Sequence, residues 1–317
     1  MQLVILPNYI ASAIIAWIFG IVGILANGYV IYCNGMKLKY YSQSMNKVHI
    51  FLIMNLALAD GFGALYLLIL CIADLVYSQY PKYHLCYSNK SCTGNNNSWL
   101  LNPGCFIAKF SSTIAIFLPA LLTLLIAIDS YFCIVKQKYR RLLSFPRAKF
   151  LTAIIWIFGC SLGLILAIRS YQYHDPENFR GWTNLCYTGG LEDSVMRIIH
   201  YATYLIMPIP YFITISIYFA IVDRVRRSRS NRIFISHHSV NSEKFVGLIT
   251  GIIAFTNLLS WLPAIVLGIG QIRKVKSLKT PAGYALTGLF YLLFFVNSAT
   301  NPLIYTVLTR RRCKRCL

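Results

Sequence analysis

Residues 110–135 read FSSTIAIFLPALLTLLIAIDSYFCIV. No charge interrupts residues 110–128; Asp129 then ends the run, and Lys136, Lys138, Arg140 and Arg141 follow closely. A helix rising about 1.5 Å per residue needs about 20 apolar residues to cross a hydrocarbon core about 30 Å thick, so this stretch has the length of a membrane span. Comparable runs cover residues 1–36, 48–73, 150–168, 198–222, 245–272 and 280–309, which makes seven spans with the first. Because backbone groups in lipid must be satisfied within their own segment, each run is expected to be a helix. The composition agrees: 57% of the 317 residues are hydrophobic and 12% are charged, too apolar for a surface facing water. Ala11-Ser12-Ala13 resembles a signal cleavage site, but no basic residue precedes the first run and it outlasts a signal core of about 7–15 residues, so it is read as the first span. The expectation is an all-α integral membrane bundle over residues 1–309 and a short basic tail over 310–317.

Charge sets the orientation. Lys37, Lys39 and Lys47 follow span one, Arg147 and Lys149 join the basic cluster after span three, Arg224, Arg226, Arg227, Arg229, Arg232 and Lys244 follow span five, and Arg310, Arg311, Arg312, Lys314 and Arg315 lie in the tail. The positive-inside rule puts these loops in the cytoplasm and the N-terminus outside. The net charge of +21 is then a topology signal and an attraction to anionic membrane lipid, and no nucleic-acid partner is called for. On the outer side lie two glycosylation acceptors, Asn89-Lys90-Ser91 and Asn96-Asn97-Ser98. In an oxidising compartment Cys105, heading span three, can bond to Cys186 in the next outer loop, and Cys86 and Cys92 are placed for a second, local bridge. Cys313 and Cys316 lie among basic residues beside the membrane, where palmitoylation is plausible. Cys33, Cys71, Cys133 and Cys160 read as packing residues.

Polar residues inside spans are costly and mark interior partners. Span one carries Asn27-Gly28; span two Asn55-Leu56-Ala57-Leu58-Ala59-Asp60; span four Trp156; span five Pro210 and Tyr218; span six Ser260-Trp261-Leu262-Pro263; span seven Asn297-Ser298-Ala299-Thr300-Asn301-Pro302-Leu303-Ile304-Tyr305. This set, in this order, resembles the rhodopsin-like family of G-protein-coupled receptors over nearly the whole chain. Asp60-Gly61 followed by Leu65-Tyr66-Leu67-Leu68, and Phe255-Thr256-Asn257 before Trp261, are most similar to the transmembrane region of the glycoprotein-hormone and relaxin receptors. Those receptors carry leucine-rich-repeat ectodomains, so two readings stay open: a receptor without that ectodomain, or a fragment of a longer product.

The resemblance implies a plasma-membrane receptor, not an enzyme, that turns an extracellular ligand into activation of a heterotrimeric G protein, with arrestin as a further inner partner. It implies a polar cluster of Asp60, Asn27, Asn297, Ser298 and Asn301 able to hold an allosteric sodium ion and no other cofactor. Pro119 stands where the family often supplies a hydroxyl to that ion, and a purely structural hydrogen-bond network is the competing reading. Trp261, Pro263, Pro302, Tyr305 and Tyr218 are the implied switches; Pro302 frees a carbonyl that Asn301 or water could satisfy. Ser112 replaces the Asp of amine receptors and Phe295 the Lys of opsins. The face expected to line the pocket, from Ser112, Thr113, Ile116, Trp261, Ala264, Tyr291 and Phe295, carries no fixed charge. At the inner end Asp129 is expected to meet water without the cost of burial. Ser130 stands where the family has an Arg that pairs with an acid on span six, here Glu243, while Tyr131 is kept. A hydroxyl cannot replace a guanidinium in that pair, so a non-signalling or decoy receptor is the alternative.

Two other classes are disfavoured. A hydrolase would need paired carboxylates or a zinc site, whereas His49, His84, His174, His200, His237 and His238 are scattered. A membrane transporter would show repeated halves, and none are evident. Gly159 and Gly163 form a small-xxx-small pattern that could serve dimerisation.

Overall fold

The computed structural model describes residues 6, 10–40, 44–77, 79, 99, 102–135, 143–172, 185–186, 194–230, 237–272 and 281–313. Among these there is no strand. The helices are α1 (Ile10–Tyr40), α2 (Ser44–Tyr77), α3 (Pro103–Ile134), α4 (Phe145–Gln172), α5 (Ser194–Ile206), α6 (Pro208–Ser230), α7 (His237–Ile272), α8 (Pro281–Phe294) and α9 (Asn297–Cys313). Most outrun the apolar stretches that revealed them, because hydropathy locates the part in hydrocarbon and caps locate the helix ends. Helix α3 shows this: Asn102 accepts from the Gly104 N–H at 2.7 Å and Pro103 opens the first turn, well ahead of the charge-free run.

Two of the seven spans are broken. Span five divides at Met207 into α5 and α6, because Pro208 and Pro210 remove two ladder donors within one turn. Span seven divides at Phe295 and Val296, whose N–H groups bond only three residues back, to the Leu292 and Leu293 carbonyls at 3.0 and 3.2 Å. The N–H groups of Ser298 and Ala299 do the same toward Phe295 and Val296, each at 3.0 Å, a stretch of tighter 3₁₀-type winding. Among the described residues five segments are long and apolar enough to cross a membrane: Ala11–Lys39, Lys47–Tyr77, Pro103–Phe132, Phe145–Ser170 and Tyr201–Arg224. The sixth span is α7, with a shorter apolar stretch at Gly251–Leu267, and the seventh is the α8–α9 pair.

Helix α3 is the axis of the bundle. Every residue from 111 to 120 is buried, as expected of a helix that is apolar on all sides and surrounded by other helices. The peripheral helices turn large apolar side chains outward, among them Leu25 and Tyr32 on α1, Ile157 and Ile165 on α4 and Phe219 on α6, a surface suited to acyl chains.

Small residues set how closely the helices approach. A Cβ on Gly23 would stand 2.6 Å from the Ala64 Cβ, so α1 and α2 pack nearly backbone to backbone. Gly159 and Gly163 do not form an outer dimerisation face: both are buried against α3, where Gly159 receives the Leu118 side chain and Gly163 lies beside the Phe110 ring. Gly28 faces open space. Gly159→Ala is therefore expected to lower stability by about 1–3 kcal/mol through overpacking. Gly28→Ala should be neutral or mildly stabilising, since only its helix propensity changes. Thermal unfolding of the two purified variants in one detergent checks the contrast.

Candidate functional site

A buried polar seam joins spans one, two and seven, and proline chemistry explains its centre. Pro302 has no N–H, so the Ser298 carbonyl one turn earlier loses its ladder partner. The Asn27 side-chain amide on α1 takes that place, donating to the Ser298 carbonyl at 2.7 Å and to the Gly23 carbonyl at 2.9 Å. The donor role foreseen for Asn301 or water thus belongs to Asn27, which lies across a helix interface. Asn27 was also expected to partner Asp60 directly; its amide is committed to the two carbonyls. Asn301 supplies the link to Asp60, its Nδ2 donating to Oδ2 at 3.1 Å. Ser298 lies over Gly63 of α2, where any Cβ would strike its hydroxyl. Asn297 stays local, accepting on its backbone carbonyl from the Thr300 hydroxyl at 3.4 Å. Nearby, Asn55 bridges spans two and four by accepting from the Trp156 indole at 3.0 Å.

The seam retains capacity. The Oδ1 atoms of Asn27 and Asn301 are buried without a hydrogen-bond partner among the described residues. Buried amide groups in that state call for water or an ion. Together with the Asp60 carboxylate, these oxygens are the hard donors that suit an alkali or alkaline-earth cation. Pro119 contributes none from span three.

Above the seam, aromatic rings run toward the disulfide. Trp261 meets Phe294 edge-on at 4.7 Å, Phe294 meets Phe295 at 5.1 Å, and Phe295 meets Tyr66 at 4.4 Å. The Tyr66 hydroxyl donates to the Leu185 carbonyl at 2.7 Å, and the next residue, Cys186, is bonded to Cys105. Leu185 and Cys186 are both buried, so this short segment caps the bundle core. Ser112 and Thr113 turn their hydroxyls back to the Lys109 carbonyl at 2.9 and 2.8 Å, while Ile116 and Phe295 are buried in the common core. Lys109, one turn before Thr113 and outside the residues expected to line the pocket, is itself buried and donates to Ser170 on α4.

At the opposite end Asp129 is fully buried, contrary to the expectation that it meets water. Its carboxylate accepts the Leu143 N–H at 3.2 Å and stands 3.9 Å from His49 Nε2 on α2. It therefore pins the segment entering α4 to the ends of α2 and α3. Ser130 is also buried, and its hydroxyl is bonded to the Ile126 carbonyl at 2.9 Å. Tyr131 lies edge-on to Phe132. The Tyr305 hydroxyl donates to Asn34 of α1 at 3.3 Å, and the Tyr218 ring lies against Gly251 of α7.

The family model described as 7 transmembrane receptor (rhodopsin family) matches residues 26–305, which spans every feature above from Asn27 to Tyr305. The chain belongs to this receptor family.

Among similar proteins, the G-protein coupled receptor GRL101 of Lymnaea stagnalis is 28% identical over 92% of this receptor and 24% of its own length. Relaxin receptor 1 of Rattus norvegicus is 26% identical over 96% of this receptor and 38% of its own length, and that of Mus musculus is 25% identical with the same coverage. The receptor chain thus spans well under half of the relatives it matches.

Two functional candidates escaped the sequence reading. Asn34, fully buried, lies two helical turns after Asn27 on the same face of α1, a spacing that was readable. Lys109 was passed over because the span was drawn to begin at the first charge-free residue, although it stands one turn from Cys105. Cys86, Cys92, Asn89, Asn96 and Cys316 lie outside the described residues, as do the side chains of Glu243, Ala264, Tyr291, Cys133 and Cys313. Of the other cysteines, Cys71 is buried and Cys33 and Cys160 are half-buried thiols.

The Pro302–Ser298–Asn27 arrangement predicts a measurable coupling. Asn27→Ala strands the Ser298 carbonyl and should cost about 1–3 kcal/mol. Pro302→Ala restores an N–H to that carbonyl, so the same Asn27 change should cost less in the Pro302→Ala background. Thermal unfolding of the four proteins of this double-mutant cycle gives the coupling; strict additivity would refute it.

Proposed function

We propose that this receptor transmits an extracellular ligand signal to a heterotrimeric G protein by repacking spans five, six and seven around the seam at Pro302. The observation that carries this reading is the exchange at the Ser298 carbonyl. A bond that would lie within span seven is supplied instead by span one, so the helix can bend there while the Ser298 carbonyl stays satisfied. The disulfide end faces outward at the plasma membrane and receives a ligand not yet identified. The Asp129 end faces the cytoplasm, where arrestin is a second partner.

The packing described is the resting one in this proposal: Tyr305 is held on Asn34 and Tyr218 on Gly251, each away from the centre. A ligand shifts the population only as far as it prefers the open packing. With Ser130 closed on Ile126 and Asp129 committed to Leu143 and His49, span three offers no guanidinium to span six. The resting state is therefore held less firmly than in receptors that keep the Arg. Sodium fits the seam through Asp60 and the free asparagine oxygens, and the lack of a span-three oxygen makes it a weak site.

The test is dissociation of G-protein biosensors of the four main classes in cells, with surface expression followed through an N-terminal tag. Wild type should show ligand-independent activity in at least one class, and Ser130→Arg should lower it several-fold, in keeping with about 1.5–3 kcal/mol for a charged hydrogen bond. Silence of both proteins in every class, at normal surface levels, would instead support the decoy reading. In purified protein, replacing choline with sodium should raise the unfolding temperature of wild type but leave Asp60→Asn unmoved.

A further inference from the structure

Lys109 is a charged side chain at odds with its surroundings. It sits one helical turn from the Cys105–Cys186 bond, is only 6% exposed, and reaches across to Ser170, 3% exposed, near the end of α4. A lysine this close to a span end ordinarily extends its ammonium to the interface. This one turns inward from α3 to Ser170 on α4, whose face here also carries the buried Gly163 and Ala167.

The ammonium has three donors and, among the described residues, one neutral acceptor. The hydroxyls of Ser112 and Thr113 cannot help, because they bond to the backbone carbonyl of Lys109. No carboxylate pairs with it among the described residues: Asp60 is engaged by Asn301, Asp74 by the Leu6 N–H, Asp129 by Leu143 and His49, and Asp223 by Arg227. A buried cation without a counter-charge is among the costliest arrangements in a folded protein, and an incoming anion recovers that cost.

We propose that Lys109 and Ser170 form the anchor for a single anionic head group, a carboxylate or phosphate, carried by an amphiphilic ligand at the disulfide end of spans three and four. The ammonium supplies the charge and two free donors; the Ser170 hydroxyl supplies a third. The proposal rests on the reading of the disulfide end as the ligand-receiving end, and it narrows the ligand to an amphiphilic acid. The acid comes either from a free ligand or from a bilayer lipid.

The experiment uses the full chain in nanodiscs and reads thermal unfolding rather than signalling, so a receptor that activates no G protein still reports on the site. In one arm, oleate or its uncharged counterpart oleyl alcohol is added to phosphatidylcholine nanodiscs. In the other, phosphatidic acid replaces part of the phosphatidylcholine and no oleate is added. Oleate should raise the unfolding temperature of wild type by several degrees more than oleyl alcohol does. Lys109→Arg should keep the response. Lys109→Met should start out more stable than wild type in neutral discs and need roughly tenfold more oleate, or fail to respond. Lys109→Gln serves the same purpose if Lys109→Met cannot be isolated. A Lys109-dependent response to phosphatidic acid alone makes the bilayer the source of the anion; a response to oleate alone makes it a free ligand. Equal shifts with acid and alcohol, or equal shifts in wild type and Lys109→Met, would overturn the proposal.

Discussion

The Ser298 carbonyl organises much of this receptor. In lipid an unsatisfied backbone acceptor costs several kcal/mol, and Pro302 leaves this one without its ladder donor. The partner has to come from another helix, and Asn27 can reach only if α1, α2 and α9 approach closely. That requirement accounts for Gly23 against Ala64 and for Gly63 beneath Ser298. Two polar links of different kinds therefore meet at one level of the bundle: amide to carbonyl from span one, and amide to carboxylate from Asn301 to Asp60. Bending of span seven and the positions of spans one and two become one variable.

The two ends of the bundle are fastened by different chemistry. At one end a covalent bond and the Tyr66 hydroxyl hold Leu185 and Cys186 over the core, and the rings of Tyr66, Phe295, Phe294 and Trp261 continue from that cap to the span that carries Pro263. At the other end the fastening is electrostatic, with Asp129 gathering Leu143 and His49. A rigid cap and a polar inner clamp leave the middle, where span seven winds tightly and then meets Pro302, as the part with freedom to change. Ser130 fits this division, since its hydroxyl stays within its own helix and adds no tie to span six.

Much of this was legible in the chain. Apolar runs revealed the spans because a backbone in hydrocarbon has few alternatives to a helix. Asp60 within span two called for buried polar partners, the family resemblance implied a cluster with Asn301, and Cys105 with Cys186 announced the cap. Helix breaks were less visible. Hydropathy treats residues 198–222 and 280–309 as single runs, whereas the breaks at Met207 and at Phe295–Val296 arise from missing or shortened ladder bonds.

Sequence by itself determined which residues lie in the membrane, which of them carry polar groups, and which carbonyl Pro302 would orphan, because those follow from side-chain chemistry and distance along one helix. Only the tertiary structure decided who answers those groups. Asn27 and not Asn301 takes the Ser298 carbonyl, Asp129 turns into the protein and not toward water, Gly159 and Gly163 serve α3 and not a second copy, and Lys109 lies inside with Ser170. Partners across an interface depend on how helices are rotated and how closely they approach, and residue spacing along a single helix does not specify either.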